Sequence, residues 1–263
     1  MTRRTLFRVL LVTAAAILCF RAFAQPASDD QVRNLPLGQV LWNFTPLLAR
    51  GTLMTIFISV LSMALATALG LSLALIRIYG KRIFASIATT YIEFMRGTPL
   101  LVQLYFIYYG LPKIGIELGP LSAAIIGVGL NYAAYEAEIY RAGIMAIPRA
   151  QTEAALALGL TRWQAVRLVV LPQALRLVIP PVTNDFVALF KDTSIVSLVA
   201  ITELTKAFNI AAQSAQSYRP TAYLEFAIVT ALIYFALAYP LSKFARRLEE
   251  RIHPHHDFAA QPM

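Results

Sequence analysis

No charged side chain interrupts residues 51–76. A helix of that length outruns the about 30 Å hydrocarbon core of a bilayer. Backbone in lipid must satisfy its own polar groups, which leaves helices or a closed barrel, and a long unbroken apolar run selects the helix. The fold class is therefore all-α, a polytopic membrane protein. Composition agrees: 58% of residues are hydrophobic and 14% charged, whereas soluble domains carry nearer 25% charged residues. One Cys and three His argue against a metal or redox centre, and a single Cys forbids an intrachain disulfide.

Residues 1–24 place Arg3, Arg4 and Arg8 before an apolar run from Val9 to Phe20, then Ala22-Phe23-Ala24. This is the layout of a secretory signal peptide, and an uncleaved anchor helix is the alternative. Cys19 follows Leu18 rather than a small residue, which weakens a lipoprotein reading. Residues 25–46 read as a periplasmic lead-in. Five spans are expected, at about 48–76, 83–110, 121–140, 174–200 and 222–242. Together with the connecting segments they make a transmembrane domain over 47–243. A polar loop at 141–172 and a charged tail at 244–263 complete the chain.

Charge sets the orientation. With Gln25 outside, the inner segments hold Arg77, Lys81 and Arg82, then Arg141, Arg149, Arg162, Arg167 and Arg176, then Lys243, Arg246, Arg247 and Arg251. The outer loops between spans hold only Lys113, Lys206 and Arg219. The positive-inside bias places the 141–172 loop and the C-terminus in the cytoplasm. It also accounts for the net charge of +9 without invoking nucleic acid. Tyr105, Tyr108 and Tyr109 fit an aromatic belt at the outer end of the second span.

A phosphate-binding loop is missing: Gly80-Lys81 is followed by Arg82 and lacks the upstream glycine. No nucleophile is flanked by a plausible base. His253, His255 and His256 read as part of a solvated tail.

The cytoplasmic loop carries the most local information. Glu153 to Leu158 is rich in helix formers and ends at Gly159, which can adopt a left-handed cap. Thr161 is placed to cap a second short helix bearing Trp163, Val166 and Val170 along one side. Leu171-Pro172 is expected to break that helix before the fourth span. The residues alone also fit an ordinary amphipathic interfacial loop.

The spacing Glu153-Ala154-Ala155, Gly159, Val169 and Leu171-Pro172 resembles the coupling loop of ATP-binding-cassette importer permeases, with Val where Ile is usual. Glu93 to Gln103 (E-F-M-R-G-T-P-L-L-V-Q) is similar to a segment of the polar amino-acid, histidine/glutamine-type permeases. Asn184-Asp185-Phe186, Lys191-Asp192-Thr193-Ser194 and Thr202-Glu203-Leu204 are similar to later segments of that family. The resemblance covers about residues 48–247. It implies the type I importer permease fold with a five-helix core, and it assigns Glu153, Ala154, Ala155 and Gly159 to the docking of an ATPase. ATP and Mg would be bound by that partner, leaving no cofactor in this chain. The other implied partners are a periplasmic solute-binding protein, a second copy or homologous permease, and an amino-acid substrate, with the complex in the bacterial inner membrane.

Polar residues at membrane depth mark candidate pathway positions. Gln103, Glu136, Asn184, Asp185, Asp192 and Ser194 are the candidates. Asp185 and Asp192 are seven apart, within about 20° of one helix face, and Lys191 lies about 120° from Asp185. These carboxylates could meet a cationic or zwitterionic substrate, pair with a neighbouring helix, or mark a helix end. Glu138 can pair with Arg141, and Glu93 with Arg96, at a spacing of three. Thr98-Pro99 reads as a helix start, with Thr as cap and Pro in the first turn. Ala133, Ala134 and Ala137 allow close helix packing. An ion-coupled secondary transporter using Asp185, Asp192 or Glu136 is the alternative function, but the halves show no self-similarity of the kind common in that class.

Overall fold

The computed structural model describes residues 37–216 and 219–252. The signal-peptide or anchor segment 1–24, Cys19, the start of the lead-in and the tail histidines lie outside these residues. No strand occurs among the described residues. The helices are α1 (Leu37–Tyr79), α2 (Arg82–Gly97), α3 (Leu100–Tyr105), α4 (Pro120–Met145), α5 (Arg149–Ala157), α6 (Arg162–Ala165), α7 (Leu171–Asp192), α8 (Leu204–Gln216) and α9 (Ala222–Ile252). Three helical stretches, 38–79, 162–198 and 222–250, are long and apolar enough to cross a membrane. α4 has the length, with 26 residues, but is made less apolar by Asn131, Glu136 and Glu138. The expected second span is not one helix, because the chain breaks between α2 and α3.

Two details differ from the sequence expectations. α1 starts at Leu37, so the last residues of the expected lead-in are already helical, and Pro46 lies inside the helix. Leu171-Pro172 does not break the chain. α6 passes through a π-helical turn, Val166–Val170, directly into α7, and the Leu171 N–H donates to the Val166 carbonyl. The wider turn absorbs the proline, whose missing N–H and bulky ring would disturb a regular α-helical ladder. The same π turn, Phe106–Gly110, precedes Leu111-Pro112. There the helix does end, at Gly115 in the left-handed region with φ 85°.

The chain forms two compact units. The described part of the first comprises residues 37–60, 104–125 and 190–238. Its core sets one face of α8 (Leu204, Ala207, Ala211, Ala215) against Val40 and Leu48 of α1 and Phe226 of α9. The i, i+3, i+7, i+11 spacing is one helix stripe, and its alanines let backbones approach closely. Phe44 meets Phe226 edge-on, with ring centroids 5.4 Å apart.

The second unit comprises residues 61–103 and 126–189, with the described 239–252. Ala134 and Ala137 of α4 pack with Ile92 and Met95 of α2. Tyr140 packs with Ala74 of α1 and Val178 of α7. Ala133, Ala134 and Ala137 are fully buried, as the close-packing reading requires. Ile83, Phe84, Ile87 and Phe94 of α2 remain exposed, an apolar face for lipid or a partner chain.

Candidate functional site

The segment 149–165 is a closed helix pair. α5 starts after Pro148 and runs through Glu153-Ala154-Ala155. Gly159 takes φ 85°, its N–H donates to the Leu156 carbonyl at 3.0 Å, and the Leu160 N–H donates to Ala155 at 3.2 Å. These two bonds form a Schellman cap, in which the left-handed position suits glycine because it lacks a Cβ. Two residues on, Thr161 and Gln164 form a reciprocal capping box. The Gln164 N–H donates to the Thr161 hydroxyl at 3.3 Å, and the Thr161 N–H donates to Gln164 Oε1 at 2.9 Å. The turn between α5 and α6 is thus fixed from both sides. Ala155 is buried, whereas Glu153, Ala154 and Gly159 are exposed. Leu158 is 85% exposed and Trp163 70%, two apolar side chains on the same helix pair as the exposed Glu153.

In the second unit, Glu138 of α4 is an ionic hub. It accepts from Arg77 of α1 and from Arg141, whose Nε and Nη2 lie 3.0 and 2.9 Å away. Arg96 at the end of α2 approaches it at 3.9 Å and sits 5.4 Å over the Tyr135 ring. The expected Glu138–Arg141 pair is present, and Arg96 is drawn across to α4.

Gln103 is buried at the break between α2 and α3. Its Nε2 donates to the Met95 carbonyl at 2.8 Å and to the Thr98 hydroxyl at 2.8 Å. Its Oε1 accepts from Asn131 Nδ2 at 3.1 Å. Thr98 does not cap α3 as expected. Its hydroxyl donates back to the Phe94 carbonyl at 2.9 Å, while the Pro99 carbonyl accepts from the Val102 and Gln103 N–H groups at 3.0 and 3.2 Å. Pro99 therefore stands at the cap position, because a proline after Thr98 pushes that residue into an extended conformation.

Glu136 is fully buried on the face of α4 that crosses α1. A Cβ added at Gly70 would lie 2.7 Å from Glu136 Cβ and 2.9 Å from the Ala133 carbonyl, so the two helices approach as closely as backbones allow. Neither carboxylate oxygen of Glu136 has a well-aligned hydrogen bond. Its polar neighbours are the Tyr140 hydroxyl one turn along α4 and the Asp185 carboxylate of α7, with Thr67 of α1 beside Tyr140. The Asp185 carboxylate is thus within electrostatic reach of Glu136, and Asn184 lies exposed beside Asp185 on α7.

Asp192 and Ser194 belong to the first unit. Asp192 is the last residue of α7, and Ser194 lies in the 3-10 turn Thr193–Leu198. The same unit holds Glu203, which stands out in the sequence only as part of a segment similar to the permeases. Its side chain accepts from the Thr205 and Lys206 N–H groups at 2.9 and 2.7 Å and from the Tyr234 hydroxyl at 3.1 Å. Thr55 of α1 completes the cap, its hydroxyl accepting from the Leu204 N–H at 3.1 Å. An acidic residue just before an amphipathic helix was the available signal. Among the described residues no group of His, Cys, Asp and Glu could hold a metal ion.

The architecture defines an all-helical membrane protein with an exposed, doubly capped helix pair between its longer helices. Residues 66–254 match the model of the family described as binding-protein-dependent transport system inner membrane component, and the chain belongs to that family. It is 38% identical over 214 residues to the glutamine transport system permease protein GlnP of Escherichia coli strain K12, covering 81% of this chain and 95% of that one. It is 36% identical over 219 residues to the L-cystine transport system permease protein TcyB of Bacillus subtilis strain 168, covering 83% and 93%. A solved structure described as an amino acid ABC transporter with histidines is similar at TM-score 0.74 and 35% identity, covering 83% of this chain and 99% of that one. The chain is a permease subunit of an ABC importer, a transport component, and ATP is hydrolysed by a separate subunit. Nothing in the fold or the relatives favours the ion-coupled alternative.

Proposed function

We propose that this chain forms the translocation pathway of an importer for polar amino acids in the bacterial inner membrane. The observation that carries the reading is the α5–α6 pair, closed by a Schellman cap at Gly159 and a capping box at Thr161. A rigid, exposed pair of this kind transmits motion instead of absorbing it. Exposed Glu153, Ala154 and Gly159 form its contact with the ATPase, buried Ala155 packs beneath them, and closure of that ATPase drives the spans between outward- and inward-facing states. A periplasmic binding protein delivers the substrate, and a second copy or a homologous permease completes the pathway. The distribution of Lys and Arg supports a cytoplasmic C-terminus. We assign residues 1–24 to a signal peptide or anchor, 47–243 to the permease domain and 141–172 to the coupling loop.

Glu136 and Asp185, with Asn184 beside them, are the leading pathway groups, because two carboxylates in one buried neighbourhood favour a cationic group between them. Asp192 and Ser194 are further candidates. Gln103 is occupied by its hydrogen bonds at the helix break.

Uptake by the complete complex in proteoliposomes tests the reading. Glu153→Lys or Gly159→Asp is expected to abolish ATP-driven amino-acid uptake while membrane insertion is retained. Uptake by this chain alone, driven by an ion gradient without ATP, would overturn it. Asp185→Asn is expected to change transport or substrate preference more than stability, and unchanged transport would remove Asp185 from the pathway.

A further inference from the structure

The break between α2 and α3 has a chemical cause and a chemical repair. In a continuous helix the N–H of residue 99 would donate to the carbonyl of residue 95. Residue 99 is proline and has no N–H. The Met95 carbonyl is therefore released in a buried position, Met95 itself being 7% exposed. A buried carbonyl without a donor is costly. Two side-chain amides from outside α2 supply the donors: Gln103 Nε2 at 2.8 Å and Asn131 Nδ2 at 3.3 Å. The amides are also tied to each other, because Asn131 Nδ2 donates to Gln103 Oε1 at 3.1 Å. Gln103 lies beyond the break and Asn131 on α4, so one carbonyl joins three segments.

The surrounding contacts run along the same crossing. One turn before Met95, the Tyr91 hydroxyl donates to the Leu130 carbonyl of α4 at 2.8 Å. The next residue, Arg96, reaches Glu138 and Tyr135 on the same helix. Polar contacts from α2 to α4 thus occur at Tyr91, Met95 and Arg96, over the last turns before the break.

We propose that Gln103 and Asn131 are positioning residues for transport: their amides replace the missing Pro99 N–H at the Met95 carbonyl and lock the break against α4. The break is then a fixed elbow, and α2 moves with α4 as one body. The elbow has this role whichever residues contact substrate.

The sequence provides a selective probe. Met95-Arg96 is the only Met-Arg pair in the chain. Labelling this chain alone with carbonyl-¹³C methionine and ¹⁵N arginine, and assembling it with unlabelled partner subunits in nanodiscs, therefore isolates the Met95 carbonyl as a single correlation. Gln103→Met is expected to move that carbonyl resonance upfield as its stronger donor is lost, and Asn131→Leu to move it less. ATP-driven uptake of a mixture of ¹⁴C-labelled L-amino acids, delivered by the cognate binding protein, is expected to fall about tenfold in Gln103→Met, the factor set by one buried carbonyl losing a donor.

Introducing Pro99→Ala into Gln103→Met restores a backbone donor and is expected to recover both the resonance and part of the uptake. A side chain that only filled space would show no such rescue. An unmoved Met95 resonance in both amide variants overturns the proposal. A moved resonance with unchanged uptake overturns the positioning role, and so does failure of Pro99→Ala to recover either readout. If Gln103→Met does not assemble, Asn131→Leu decides by the same two readouts.

Discussion

Glu203 and Glu136 are both fully buried, and each lies against a glycine of α1. Their surroundings differ in kind. Glu203 accepts from two backbone N–H groups and the Tyr234 hydroxyl, with Thr55 alongside at 3.4 Å. It sits at the N-terminus of α8, where the helix dipole favours a negative charge. Each of its carboxylate oxygens has a use within the fold. Glu136 has the same burial and the same chemistry, without aligned donors on either oxygen, and its charged neighbour is another carboxylate. A fold keeps an arrangement like that of Glu203 because it is stable on its own. An arrangement like that of Glu136 is poorly satisfied until something else arrives, and departures of this kind are expected at functional positions.

Variants can break this contrast. The largest effect is expected for Glu203→Ala, which strips acceptors from the α8 N-terminus and should lower unfolding stability by about 3 kcal/mol or more, measured by denaturant titration in detergent. A wild-type stability curve would show that the clasp contributes nothing. Gly51→Ala comes next. Its Cβ would stand 2.8 Å from Ala207 Cβ and 3.0 Å from the Glu203 carbonyl, so α1 and α8 must separate, at a loss of about 1–3 kcal/mol. Thr55→Val removes the acceptor for the Leu204 N–H and should cost about 1 kcal/mol in the same titration. Glu136→Gln is expected to change stability least, by under about 1 kcal/mol, while uptake falls sharply. If it destabilises as strongly as Glu203→Ala and leaves uptake per folded complex intact, the two glutamates are alike and the contrast fails.

Local features were legible in the sequence. Gly159 was readable as a left-handed cap and Thr161 as a helix start, because both signals lie within a few residues of their partners. The Glu138–Arg141 pair and the alanine face of α4 were readable for the same reason. Distant pairings were not. Thr55 meets Leu204 across 149 positions and Asn131 meets Met95 across 36, and no periodicity carries such information. Leu171-Pro172 misled because proline is a reliable stop only when the helix before it is regular. Five residues of π helix ahead of it removed the conflict. At Pro112 the same prelude leads to Gly115, and there the helix stops. The residues on the C-terminal side of a proline, as much as the proline itself, decide whether the helix survives.

The π turn at Val166–Val170 also fixes an angular phase. A π turn amounts to one extra residue inserted in an α-helix, and one residue is about 100° of rotation. Removing a single residue there would swing Asn184 and Asp185 by roughly a quarter of a circle relative to Trp163. The surface proposed to meet the ATPase and the side chains proposed to meet the cargo are aligned by that one residue.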